Sequence, residues 1–183
     1  MEVGEMTRDS SEPAADVWSN WLLHLRHGDD PEYDRMIRAR LERYADSVLD
    51  GAQLAAGMTL ADIGAGEGLI GFRAIDRIGP SLRVLFVDVS EPLLRHAESL
   101  AIERGVREQC AFHRGTADKL TDIESGSVDV ITTRAVLAYV ADKLAALREF
   151  RRALKPGGRV SIAEPILRDE ALAVNALRKI LEE

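Results

Sequence analysis

The stretch LADIGAGEGLIGF, residues 60–72, sets an acid, Asp62, ahead of Gly64, Gly66 and Gly68. Glycines at alternate positions permit positive φ and let a ligand lie against bare main chain. The free N–H groups at the start of a helix favour a negative group there. Asp88 follows Gly68 by twenty residues, near the end of the run VLFVDVS. An acid so placed can accept hydrogen bonds from both hydroxyls of a ribose. Asp118, in GTAD, falls where an adenine would extend, and its carboxylate could accept from an exocyclic amine. Asp62 lies inside an apolar run, and a buried carboxylate needs partners. Those are either loop N–H groups or the amino group of a ligand, and the ligand-side role is preferred.

These side chains need rigid elements to hold them. Residues 16–27 carry Val17, Trp18, Trp21, Leu22 and Leu25 at helical spacing, with Asp16 as N-cap. A second helix is predicted from Pro31 to about Leu49 with Gly51 near its end, or on to Ala55 before Gly57. Strands then alternate with helices. Strands are expected at 58–64, 82–90, 110–117, 127–136 and 159–166. Helices are expected at 68–79, 91–106 and 142–154, with a last one to residue 183. Nearly unbroken apolar strands separated by helices indicate a parallel sheet covered on both faces. Right-handed crossovers make that a doubly wound α/β sandwich. Ligands in such folds sit beyond the carboxyl ends of the strands, where the strand order reverses.

The bulk properties exclude several alternatives. At 183 residues the chain suits one domain with a real core. A formal net charge of −7 repels phosphate backbones and argues against nucleic acid as partner. Cys110 has no second cysteine to pair with and no metal-ligand spacing around it. It reads as a small buried apolar residue, and a cytoplasmic setting fits. Residues 1–15 are polar and read as a tail, neither signal peptide nor membrane span.

LADIGAGEG, VLFVDVS, GTAD, SVDVITTRAVLAYV and LKPGGRVSIAEP, in that order and spacing, resemble the class I S-adenosylmethionine-dependent methyltransferases. The resemblance covers residues 58–166. Its narrower features look like a small-molecule branch from bacterial secondary metabolism. It implies a Rossmann-like domain over 58–183, preceded by a helical lid over 16–57. It implies S-adenosylmethionine as cofactor, with Gly64, Ala65 and Gly66 beside the methionine part and Asp88 on the ribose. Val89, Ala117 and Asp118 would surround the adenine. Thr133 and Arg134 would border the sulfonium and a small-molecule acceptor. The resemblance also implies seven strands, whereas five are counted. Either the chain is truncated or a partner subunit or second copy completes the sheet. A non-catalytic partner that keeps the fold is therefore an alternative.

A nicotinamide dehydrogenase is the other rival. Its G-x-G-x-x-G loop fails at Leu69, since the spacing here is G-x-G-x-G. Tyr139 and Lys143 form Y-x-x-x-K, but Gly126 and Ser127 do not supply the expected serine, so they read as wall and surface residues. For methyl transfer, an acceptor hydroxyl must lose its proton to a positioned base. His27 closes the first helix and is one candidate, with His24 nearby. Glu164 could orient substrate or anchor the loop before Pro165. Arg134 could bind an acidic acceptor or pair with a carboxylate. Trp18, Trp21, Tyr33 and Tyr44 either pack the first helices on the sheet or close a lid that excludes water. No metal site is expected.

Overall fold

Five strands run parallel in the order β3-β2-β1-β4-β5: Thr59–Ile63, Arg83–Asp88, Cys110–Arg114, Val128–Arg134 and Leu154–Ala163 for β1 to β5. The computed structural model describes residues 16–26 and 30–164. The tail at 1–15, His27 and the last predicted helix lie outside them. The strand order departs in both directions from β1, and the crevice opens at that reversal.

Strand alternation divides the core in two. Leu60, Val84, Phe86 and Val130 face α2 (Pro31–Ala52), α3 (Leu69–Ile78) and α4 (Glu91–Glu103). Ala61, Ile63, Val87 and Ile131 face α5 (Lys143–Ala153) and the segment around Leu120 and Ile123. Both faces are covered, which is why the strands are apolar throughout. Cys110 is buried and unpaired, and burial pushes its thiol up to about 11, in keeping with a structural residue.

Caps set the helix starts. Asp16 and Ser19 form a reciprocal capping box at α1 (Val17–Asn20), and the Asp30 side chain accepts from Glu32 N at 2.8 Å. Ser90 caps α4 through Leu93 N at 3.3 Å, and Pro92 occupies its first turn. α2 runs through Gly51 to Ala52, three residues beyond Leu49. Gly51 is the last residue but one of the helix, and a Cβ there would lie 2.9 Å from Ser161 Oγ, so the glycine also serves a close helix–strand approach. An ion-pair cluster ties α2 to α3: Arg73 Nη2 donates to Asp46 Oδ2 at 2.8 Å, and Arg77 Nη1 to Asp50 Oδ1 at 2.8 Å. Among the described residues, no helix is long and apolar enough to cross a membrane.

Candidate active site

The carboxyl ends of β1, β2 and β4 open into a cavity of about 450 Å³. Gly64, Ala65, Gly66, Asp88, Val89, Ala117, Asp118 and Arg134 all line it, with Trp18 and Tyr139 at its mouth. That volume lies within the range of small-molecule and cofactor sites.

The glycine loop is held by β2. Gly64 N and Ala65 N both donate to Val87 O, at 2.8 and 3.0 Å. Gly64, Gly66 and Gly68 have φ of 68°, 56° and 86°, a region where side chains are strained. Space is equally tight: a Cβ at Gly64 would come 2.1 Å from Val136 Cγ2, and one at Gly66 3.3 Å from Leu22 Cδ1. The cradle is filled by backbone alone. Gly71 meets a third demand, since a Cβ there would strike the Phe86 ring at 2.2 Å.

Asp88 locks the loop from the next strand. Its Oδ2 accepts from Gly66 N at 2.8 Å and its Oδ1 from Ser90 N at 2.9 Å. Burial raises its pKa, and those amides counter the rise. A carboxylate has room for about four donors, so acceptor capacity toward the cavity remains.

Asp62 is 1% exposed and accepts from Thr132 Oγ1 at 2.9 Å and Gly71 N at 3.1 Å. Gly71 is the third residue of α3, whose N-cap, Gly68, has no side chain to offer. Asp62 therefore caps the helix from the preceding strand. Its oxygens already serve protein donors, although it also borders the cavity. Burial pushes its pKa up to about 7.

One expected position departs from the sequence reading, one takes the blander of the two roles left open to it, and one lies outside the described residues. Thr133 does not line the cavity; it is fully buried, and its Oγ1 has no partner among the described residues. Alternation in β4 gives Thr132 to Asp62 and sends Thr133 to the opposite, α5 face. Glu164 is not on the cavity wall. Its Oε1 accepts from Val136 N and Leu137 N, both at 3.0 Å, and its Oε2 from Ala138 N at 3.2 Å. Of the two roles open to it, the carboxylate takes that of loop anchor, but the loop it holds is 136–138 as well as its own. His27 lies outside the described residues, and His24 is exposed and away from the cavity.

Arg26 was missed. It is 9% exposed, lines the cavity and pairs with Glu67 of the glycine loop. A π-helical turn over Trp21–Leu25 brings it there, closed by Arg26 N donating to Trp21 O at 2.8 Å. The extra residue in that turn leaves Leu25 exposed and turns Arg26 inward. Only a bulge shifts the pattern so, and α-helical spacing carries no signal for it. Trp18 meets Tyr139 edge to face, with ring centroids 5.0 Å apart. Lys143 is at the surface, with Nζ donating to Val140 O at 3.0 Å. Among the described residues, no group of His, Cys, Asp and Glu could hold a metal ion.

Residues 54–182 match the family model described as "Methyltransferase domain". The chain belongs to that methyltransferase-domain family. This agrees with the resemblance of its motifs to the class I S-adenosylmethionine-dependent enzymes. The methyltransferase domain is 33% identical to nocamycin O-methyltransferase of Saccharothrix syringae over 67% of this chain and 43% of that protein. It is 36% identical to ubiquinone biosynthesis O-methyltransferase of Caulobacter vibrioides over 62% of this chain and 44% of the relative. Among solved structures, geranyl diphosphate C-methyltransferase of Streptomyces coelicolor superposes with a TM-score of 0.62 at 25% identity, covering 73% of this chain and 50% of that one. The [4+2]-cyclase SpnF superposes at 0.63 with 27% identity, over 67% and 44%. The chain thus spans less than half the length of the curated relatives cited.

Proposed function

We propose that this domain binds S-adenosylmethionine and directs its methyl group to a small-molecule acceptor. The observation that carries the reading is the pairing of a side-chain-free glycine cradle with Asp88. Gly66 N–H and the Asp88 carboxylate are joined at 2.8 Å on the wall of one cavity. The fit is chemical as well as spatial: a main chain bare of side chains lets an amino-acid tail lie close, and a buried acid with spare lone pairs suits a diol. Gly64, Ala65 and Gly66 would lie along the tail, Asp88 would take the ribose hydroxyls, and Val89, Ala117 and Asp118 would flank the base. When bound, the cofactor supplies a carbon already activated by its sulfonium.

The chain's own contribution is alignment and exclusion of water. Residues 16–26 act as a lid through the Arg26–Glu67 pair and the Trp18–Tyr139 contact. Glu164 fixes the loop at 136–138, which forms part of the acceptor side. The substrate class is a small molecule, in line with the O- and C-methyltransferases among the relatives. A secondary-metabolite acceptor is the narrower reading. The cyclase among the structural neighbours is a reminder that a shared fold does not fix the reaction.

Calorimetric titration of the purified chain with S-adenosylhomocysteine and with NADH tests the proposal. The nucleoside should bind and NADH should not, and Trp fluorescence should change as the lid seats. NADH binding without S-adenosylhomocysteine binding refutes it. Binding with no turnover until a second protein is added selects the partner-dependent alternative.

A further inference from the structure

Arg134 ends β4, and its half-buried side chain lines the cavity. Among the described residues, no hydrogen bond or ion pair reaches its guanidinium; only longer-range charges act on it. The acids that could answer it are engaged elsewhere. Glu67 pairs with Arg26. Glu164 accepts from three loop amides. Asp62 accepts from Thr132 and Gly71. Burial and the positive charge of Arg26 work against the Arg134 cation, while the charges of Asp62, Glu67 and Glu164 favour it from a distance without contacting it; an arginine stays protonated throughout. A partly desolvated cation, with a like charge near and no carboxylate in direct contact among the described residues, is better satisfied when an anion arrives.

The backbone adds a second observation. Ala135, the next residue and also on the cavity wall, has φ of 55°. Alanine is strained there, and such strain persists where the surrounding structure over-determines it. Ala135 N donates to Ala163 O at 2.8 Å, so β5 holds the turn that follows Arg134. Beside the charged Arg26, Asp62 and Glu67, the cavity wall carries the large apolar and aromatic side chains of Trp18, Leu22, Leu41, Tyr139 and Val140.

We infer that Arg134 anchors a carboxylate on the methyl acceptor, which is therefore an apolar or aromatic small molecule with one acidic group. The planar fork of a guanidinium matches a carboxylate through two parallel hydrogen bonds. The anchor orients the acceptor, and no bond to the carboxylate forms or breaks. This rests on the methyl-transfer reading and narrows it to a substrate class.

The test uses the full chain saturated with S-adenosylhomocysteine. Benzoate, 2-naphthoate and salicylate are each titrated against the matching uncharged alcohol near neutral pH. At least one carboxylate should bind about tenfold more tightly than its alcohol. Arg134→Gln should abolish that preference while leaving S-adenosylhomocysteine affinity and the alcohols unchanged, and Arg134→Lys should restore part of it. No preference in the unaltered chain overturns the inference, as does a preference that survives Arg134→Gln. Weakened S-adenosylhomocysteine binding in Arg134→Gln overturns it too, by assigning the guanidinium to the nucleoside's own carboxylate. Failure of the unaltered chain to bind S-adenosylhomocysteine instead refutes the methyl-transfer reading, and this inference with it.

Discussion

Replacing Gly64 by alanine perturbs the cradle in two separable ways. The backbone φ of 68° places an alanine in the left-handed region, at about 1–2 kcal/mol. Its Cβ would also lie 2.1 Å from Val136 Cγ2. Carbon atoms rest at about 3.5–4.0 Å, so Val136 must retreat by about 1 Å or more. It cannot do so freely, because its amide is held by Glu164 at 3.0 Å. Overpacking of this kind costs about 1–3 kcal/mol. Gly64→Ala should therefore destabilise the chain by about 2–5 kcal/mol in urea unfolding. Combining it with Val136→Ala removes the collision and leaves the backbone strain. The double-mutant cycle should show a favourable coupling of about 1–3 kcal/mol. If the two substitutions add to within about 0.5 kcal/mol, the packing account of this glycine is wrong.

Asp62 gives stability a pH dependence of definite sign. Its folded pKa is raised to about 7 from an ordinary 3.8, so the folded chain keeps a proton that the unfolded chain releases. Stability should fall as pH rises through that window and level off above it. Asp62→Asn, which retains an acceptor for Gly71 N and offers an amide N–H to the Thr132 hydroxyl where the carboxylate accepted from it, should flatten that slope in urea unfolding between pH ~5 and ~8; an unchanged slope counts against it. Asp46, held down at about 2 by Arg73 and Arg77, acts oppositely and only as pH falls below its ordinary 3.8, outside this window. Glu164→Ala should cost about 1–3 kcal/mol and speed hydrogen exchange at the amides of Val136, Leu137 and Ala138, whereas Glu164→Gln should retain part of the protection. Equal exchange in all three proteins would remove the anchoring role.

The sheet was legible because buried parallel strands must be apolar along their whole length, and all five sequence-predicted strands are present. The strand ends show what a linear reading loses. β5 begins at Leu154, not at residue 159, because Lys155, Pro156, Gly157 and Gly158 are absorbed as an irregularity opposite Val128–Val130. Asp88 and the glycines were readable since a strand end followed by a turn dictates where they point. Thr133 was misplaced because adjacent residues of a strand face opposite ways, and nothing local said which of Thr132 and Thr133 would meet Asp62. The Arg26–Glu67 pair depends on a π turn and on a partner distant in sequence. Glu164 was seen as an acid at the ligand edge, but its three partners lie more than twenty residues back along the chain.

One carboxylate makes the outermost described strand and the cavity rim a single moving part. Three hydrogen bonds from successive amides converge on Glu164, directly after β5. A sideways pull on that strand must either tow the rim along or stretch all three together. β5 pairs only with β4 among the described residues, so its free flank is where such a pull can be applied. Whatever steadies that flank therefore also steadies the amides of 136–138, through Glu164 and with no contact to the cavity itself.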